Sequence, residues 1–232
     1  MSRNEHYLQL LKIPVWKSRT GYVEEEETVD GALIDVPKQP VEPHIHIPLK
    51  ELPLMKSSDY PLEECRACQL HQNRTQVVKG RGIQGAKLFI VTEAPTFNED
   101  IIGESLVDDA NALLNNVLKA IRYDIQDVYI TPYIKCFPFQ TFITQTEEEL
   151  CFKHLLSEIE TIKPHKILLL GRNVSKFLLK TSQPFDDLRQ KIWHLEYLSE
   201  EIPVYVSYNF YQLLKFPDEK SKLWKDLKQF IE

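Results

Sequence analysis

From residue 62 onward the chain alternates short apolar runs with stretches of helical periodicity. Residues 87–92 (KLFIVT), 127–131 (DVYIT), 166–171 (KILLLG) and 203–207 (PVYVS) are rich in β-branched, aromatic and aliphatic residues. Each ends near a turn residue or a polar loop, and each reads as a buried strand. Between them, Leu113, Leu114, Val117, Leu118 and Ile121 share one face of a helix expected over residues 108–122, and Leu150, Leu155, Ile159 and Ile162 do the same for residues 147–162. A last helix near residues 219–231 carries Leu223, Trp224, Leu227 and Phe230. This alternation predicts an α/β fold of three layers, a central and mostly parallel four-stranded sheet covered on both faces by helices. Functional loops are then expected at the carboxyl ends of the strands.

The first sixty residues are patterned differently. Residues 1–20 contain a short amphipathic helical segment with Tyr7, Leu8, Leu10 and Leu11 as its apolar members, stopped by Pro14. Residues 21–61 hold the acidic run Glu24 to Glu27 and the prolines Pro37, Pro40, Pro43, Pro48, Pro53 and Pro61, a composition that suits an extended linker and nucleates no core. The packed domain is expected over residues 62–232. His44 and His46 stand in this linker without companion ligands and read as solvated, while Trp193 and Trp224 read as packing residues.

Charge narrows the function classes. The net charge is −6, with 7 basic and 10 acidic side chains in residues 1–60 and 21 and 24 in the remainder. A protein that grips DNA by its phosphates concentrates Lys and Arg, so weak or no direct DNA binding is expected. There is no run of about 18 apolar residues and no apolar core near the N-terminus, so neither a membrane span nor secretion is indicated, and a cytoplasmic protein is expected. In a reducing compartment four cysteines are not expected to form disulfides.

Cys65 and Cys68 form a C-x2-C pair ahead of the first strand, Cys136 follows the second strand, and Cys151 lies 15 residues later in a predicted helix. Thiolates from separate elements that converge on one centre fit either a four-cysteine zinc site or a cubane cluster. The alternative is that Cys136 and Cys151 are small buried apolar residues.

The blocks around these cysteines, EECRACQL (63–70), VVKGRGIQGAKLFIVTEAP (77–95), VYIT (128–131), IKC (134–136), PHKILLLG (164–171) and the LLK-P segment at 213–217, resemble the family 4 uracil-DNA glycosylases in order and spacing. The resemblance implies a uracil-DNA-glycosylase-like fold and a [4Fe-4S] cluster ligated by Cys65, Cys68, Cys136 and Cys151. It also implies a degenerate catalytic site. The family's first motif, Gly-Glu-Ala/Gly-Pro-Gly, is here Thr92-Glu93-Ala94-Pro95-Thr96, which keeps the carboxylate and loses both glycines that let backbone approach a base. Leu106 stands where the family has a Phe to stack the extruded uracil, Pro132 where it has the Asn that reads the uracil edge, and Asn209 where it has the His that stabilises the departing base. Losing the stacking ring and the edge-reading amide removes what repays base flipping, and losing the His removes leaving-group stabilisation. On this basis Glu93 reads as a retained structural acceptor near a helix N-terminus.

The N-terminal segment resembles the peptide of the psi subunit family of bacterial DNA polymerase III. Arg3, Leu8, Leu11, Ile13, Trp16 and Arg19 stand at matching positions, while Lys12 departs from a Gly and Pro14 is a change. A Trp after an amphipathic turn, flanked by cations and tethered by a linker, suits a peptide that orders on binding, and equally an N-terminal helix whose Leu8, Leu11 and Trp16 pack back onto the chain's own domain. The resemblance implies a partner-binding role for Leu8, Leu11, Ile13, Trp16 and Arg19 on the clamp-loader subunits gamma and tau, with the body binding the chi subunit and through it reaching single-strand-binding protein. The expected function is therefore a non-catalytic, psi-like holoenzyme subunit in DNA replication. The alternative is an iron-sulfur uracil-DNA glycosylase of DNA repair with an altered active site.

Overall fold

The computed structural model describes residues 44–45, 61–139, 142–197 and 200–231. The N-terminal peptide of residues 1–20 lies outside the described residues, as does most of the expected linker. Among the described residues six strands form one sheet: β1 (His44–Ile45), β2 (Leu88–Thr92), β3 (Val128–Pro132), β4 (Lys166–Leu170), β5 (Trp193–Tyr197) and β6 (Glu200–Ser207), in the spatial order β1-β5-β6-β4-β2-β3. The expected α/β architecture with a mostly parallel sheet is found, but the four-strand expectation is corrected by two additions. β5 pairs antiparallel with β6, and the two-residue β1, inside the expected linker, pairs parallel with β5.

β2 is buried at every position and pairs in parallel with β3 on one side and β4 on the other. Continuous apolar runs are what a strand covered on both faces requires. The helices α1 (Phe97–Ile102) and α2 (Asp108–Ala120) connect β2 to β3, and α3 (Gln145–Ile162) returns from β3 to β4 across β2. Right-handed crossovers that run in opposite directions put α2 and α3 on opposite faces. α2 buries Leu113, Leu114, Val117 and Leu118, and α3 buries Phe152, Leu155, Ile159 and Ile162. The short helices α4 (Arg172–Leu178) and α5 (Phe185–Leu188) follow β4, while α6 (Phe210–Lys215) and α7 (Lys220–Ile231) follow β6, with α6 packed on α2 and α7 on β6. No helix among the described residues is long and apolar enough to cross a membrane.

Two helix starts are fixed locally. The Thr96 hydroxyl accepts from the Glu99 amide while the Glu99 side chain reaches back to the Thr96 amide, and Thr144 and Glu147 do the same for α3. α1 ends on Gly103 at φ 83, a left-handed position that glycine takes without penalty.

The chain turns one way from β2 to β3 and the other way to β4. Between β2 and β4, at their carboxyl ends, lies the crevice where open α/β sheets bind ligands. Thr92 is in register with both Pro132 and Leu170, and Leu170 with Ser207. The residues just past that row, Glu93, Tyr133, Gly171 and Tyr208-Asn209, therefore share one rim.

Candidate functional site

Glu93 leaves β2 directly into the crevice. Its Oε1 accepts from the Asn173 amide at 2.8 Å, in the first turn of α4, where unpaired N–H groups and the helix dipole favour an acceptor. Burial pushes the Glu93 carboxyl up to about 7, against the lowering effect of hydrogen bonds from Asn173 and Val174; Glu148 adds to the rise. Tyr133, 2% exposed, donates from its hydroxyl to Glu148 Oε1 at 3.2 Å, and its hydroxyl is raised by burial and then by the charges of Glu93 and Glu148. The crevice thus holds one carboxyl poised near neutrality beside a tyrosine–carboxylate pair.

Gly171 makes this packing possible. It caps α4 at φ 133, and a Cβ there would stand 2.2 Å from Glu93 Oε1 and 2.5 Å from Glu93 Cγ. Gly171→Ala is expected to cost about 2 kcal/mol or more, because left-handed strain adds to a contact that cannot relax without moving Glu93. Thermal unfolding of the variant checks this, and an unchanged melting temperature would show that the carboxyl is not held there. The sequence did carry a signal for Gly171, a glycine directly after a buried strand. Asn173 and Tyr133 carried none.

Of the other sequence-predicted positions, Pro132 and Asn209 stand at the same rim, and Leu106 lies in the loop after α1. Pro132 is the last, buried residue of β3. Asn209 turns its side-chain oxygen to the following helix, Oδ1 capping α6 by accepting from the Tyr211 amide at 2.9 Å. Leu106 is 1% exposed at φ 54, its N–H donating to the buried Glu99 Oε1 at 2.6 Å. A branched residue at positive φ is strained by roughly 1–3 kcal/mol, and such strain concentrates at functional sites.

All four cysteines line a single pocket, partly open to solvent, together with Leu62, His71, Arg74, Lys135 and His154. Cys136 and Cys151 are buried, while Cys65 and Cys68 are half-buried. Arg74 Nη1 donates to Cys136 Sγ at 3.0 Å, the Lys135 amide to Cys151 Sγ at 3.2 Å, and His154 Nε2 lies 3.4 Å from Cys65 Sγ. Among the described residues no three His, Cys, Asp or Glu side chains converge closely enough to hold a single metal ion. Four thiols from three separate elements around one pocket form a donor set that fits either a zinc ion or an iron-sulfur cluster. Burial raises the Cys68, Cys136 and Cys151 thiols, Cys151 to about 12, so a positively charged centre is what would hold them ionised. The Lys135 ammonium, 1% exposed, pairs with Glu158 Oε2 at 2.7 Å and with the Thr131 hydroxyl, which fixes the backbone that carries Cys136.

Comparison with known proteins fits this geometry. The family described as "Uracil DNA glycosylase superfamily" matches residues 80–228. The chain is 31% identical over 173 residues to a type-4 uracil-DNA glycosylase of Archaeoglobus fulgidus, covering 72% of this chain and 87% of the relative. It is 32% identical over 174 residues to that of Sulfurisphaera tokodaii, covering 72% and 79%, and 35% identical over 127 residues to that of Thermotoga maritima, covering 54% and 66%. These relatives overturn the expected psi-like replisome role, because they cover most of the chain and are uracil-DNA glycosylases; the twenty-residue arm that carried that expectation lies outside the described residues. The leaning toward a non-enzyme likewise finds no support in them. The chain belongs to the uracil DNA glycosylase superfamily.

Proposed function

We propose that this protein is an iron-sulfur DNA glycosylase of DNA repair whose base pocket has been altered. The observation that carries the reading is Glu93, a carboxyl poised near neutrality in the crevice between β2 and β4 and seated against the α4 amides. Hydrolysis of an N-glycosidic bond needs a water directed at the sugar carbon while the base departs with the bonding electrons. Ionised Glu93 orients that water and takes its proton, and a pKa close to the working pH suits the task. Leu106, Pro132 and Asn209 supply no stacking ring, edge-reading amide or cation, so the base accepted differs from one read by those groups. Cys65, Cys68, Cys136 and Cys151 are the residues that would hold a [4Fe-4S] cluster, and such a centre, when bound, ties the 61–75 loop to the end of β3 and to α3.

Incubation of the full chain with oligonucleotides that carry uracil or hypoxanthine, followed by alkali, tests the activity. Strand breakage at the modified base that is lost in Glu93→Gln is the expected result; no breakage on any modified base overturns it. The replacements at 106, 132 and 209 favour a second reading, base binding without turnover. In that case the chain retains modified oligonucleotides in a binding assay and cuts none.

A further inference from the structure

Three of the four ligand sulfurs receive hydrogen bonds or close contacts from nitrogen, and two of the nitrogens belong to side chains that the proposed base chemistry does not use. Arg74 spans two parts of the cavity wall, with Nη1 on Cys136 Sγ at 3.0 Å and Nη2 on the Glu63 carbonyl, two residues before Cys65, at 3.1 Å. His154 sits one turn beyond Cys151 on α3, with Nε2 3.4 Å from Cys65 Sγ. We propose that Arg74 and His154 are positioning residues that set the electron affinity of the cluster held by these cysteines, by donating to the sulfurs of Cys136 and Cys65.

The inference rests on the iron-sulfur reading above. Reduction of the centre adds one electron and makes or breaks no bond, and the electron comes from an external one-electron reductant. Extra negative charge on the ligand sulfurs is stabilised by N–H donors, and more by one that carries a full charge. Removing a donor therefore favours the oxidised state. Arg74 outweighs His154, because its guanidinium is always charged and its contact is shorter.

The test is a dithionite titration of the full chain, purified without oxygen and followed by electron paramagnetic resonance, with iron and sulfide content measured alongside. Arg74→Gln is expected to raise the oxidised-to-reduced ratio at fixed potential about tenfold, a shift of about 59 mV to lower potential. His154→Phe is expected to shift the same way by less, and Arg74→Lys to recover most of the Arg74→Gln effect. Unchanged potentials in Arg74→Gln and His154→Phe, with iron content equal to the parent's, overturn the proposal. If Arg74→Gln does not load iron, His154→Phe decides alone. A parent chain without iron and sulfide overturns the iron-sulfur reading itself.

Discussion

Glu93→Gln is expected to make the folded chain more stable at pH 8 by about 2 kcal/mol and to leave its stability near pH 4 almost unchanged. Burial lifts the Glu93 carboxyl from 4.5 to about 7 in the folded state. Below pH 4.5 both folded and unfolded chains hold the proton, so the carboxyl contributes no pH dependence there. Between about 4.5 and 7 the unfolded chain has released the proton while the folded chain keeps it, and stability falls as pH rises. Above 7 both states are ionised and the loss is complete. At 1.36 kcal/mol per unit the full shift would be worth about 3 kcal/mol; the side chain keeps part of its surface in water, which lowers the expectation to about 2. Glutamine keeps an oxygen for the Asn173 amide, so the helix start stays satisfied and the difference isolates the ionisation. Urea midpoints of parent and variant at pH 4, 6 and 8 measure it, and a difference that does not change with pH would show that the carboxyl is solvated. The same ionisation governs the proposed chemistry, so base release by the parent should rise with an apparent pKa near 7 and be lost in the variant at every pH.

What the sequence disclosed and what it hid follow from the range over which each signal acts. Strands β2, β3, β4 and β6 and helices α2, α3 and α7 were legible, because each is an apolar pattern contained in one segment. α1 was also legible in principle, since Thr96 and Glu99 form a capping box in the sequence, yet at six residues it offers too few apolar positions to show a period. β5 was missed although Trp193–Tyr197 alternates apolar and polar residues as a half-buried strand does, because the run is only five residues long and Pro203 weakens the hairpin reading of its partner. Pro203 is accommodated because the ladder with β4 begins at Val204, one residue later. β1, two residues long, carries no pattern at all.

The site divides along the same line. The cysteines declared themselves through local spacing and the blocks around them, and their common cavity joins the 61–75 loop, the end of β3 and α3. Arg74 and His154 are an unremarkable arginine and histidine in sequence and gain meaning only through contacts 62 and 89 residues away. Glu93 was read as an acceptor at a helix N-terminus, and that seat is found. Its near-neutral acidity was invisible, because desolvation depends on what packs around the carboxyl, here Gly171 and the start of α4 from a distant strand. The switch-point crevice explains why a residue after β2 and a glycine after β4 meet: neighbours in the sheet, they are far apart in the chain.

Asp226→Ala is expected to destabilise the domain by about 3–5 kcal/mol, the range found when one partner of a buried ion pair is removed. Arg189 and Asp226 are each 8% exposed and meet in a two-pronged contact, Nε to Oδ2 at 3.0 Å and Nη2 to Oδ1 at 2.9 Å. The Ser207 hydroxyl donates to Asp226 Oδ2 at 2.6 Å, and the guanidinium lies 4.2 Å from the centre of the Tyr208 ring. Without Asp226 the cation keeps Asp186, but that carboxylate is 66% exposed and screened by water, so it offsets little of the desolvation. Asp226 stands on α7 and Ser207 at the end of β6, so the loss also loosens the strand end that leads to Tyr208 and Asn209 on the rim of the crevice. Replacing both partners by apolar residues, Arg189→Met with Asp226→Leu, should cost less than Asp226→Ala alone, since no unpaired charge is then left inside. Urea unfolding of the three chains separates the cases. A cost below about 1 kcal/mol for Asp226→Ala would mean that water reaches Arg189, whereas a double variant no better than the single would mean that the shape of the pair, not its charge, holds α7 against β6.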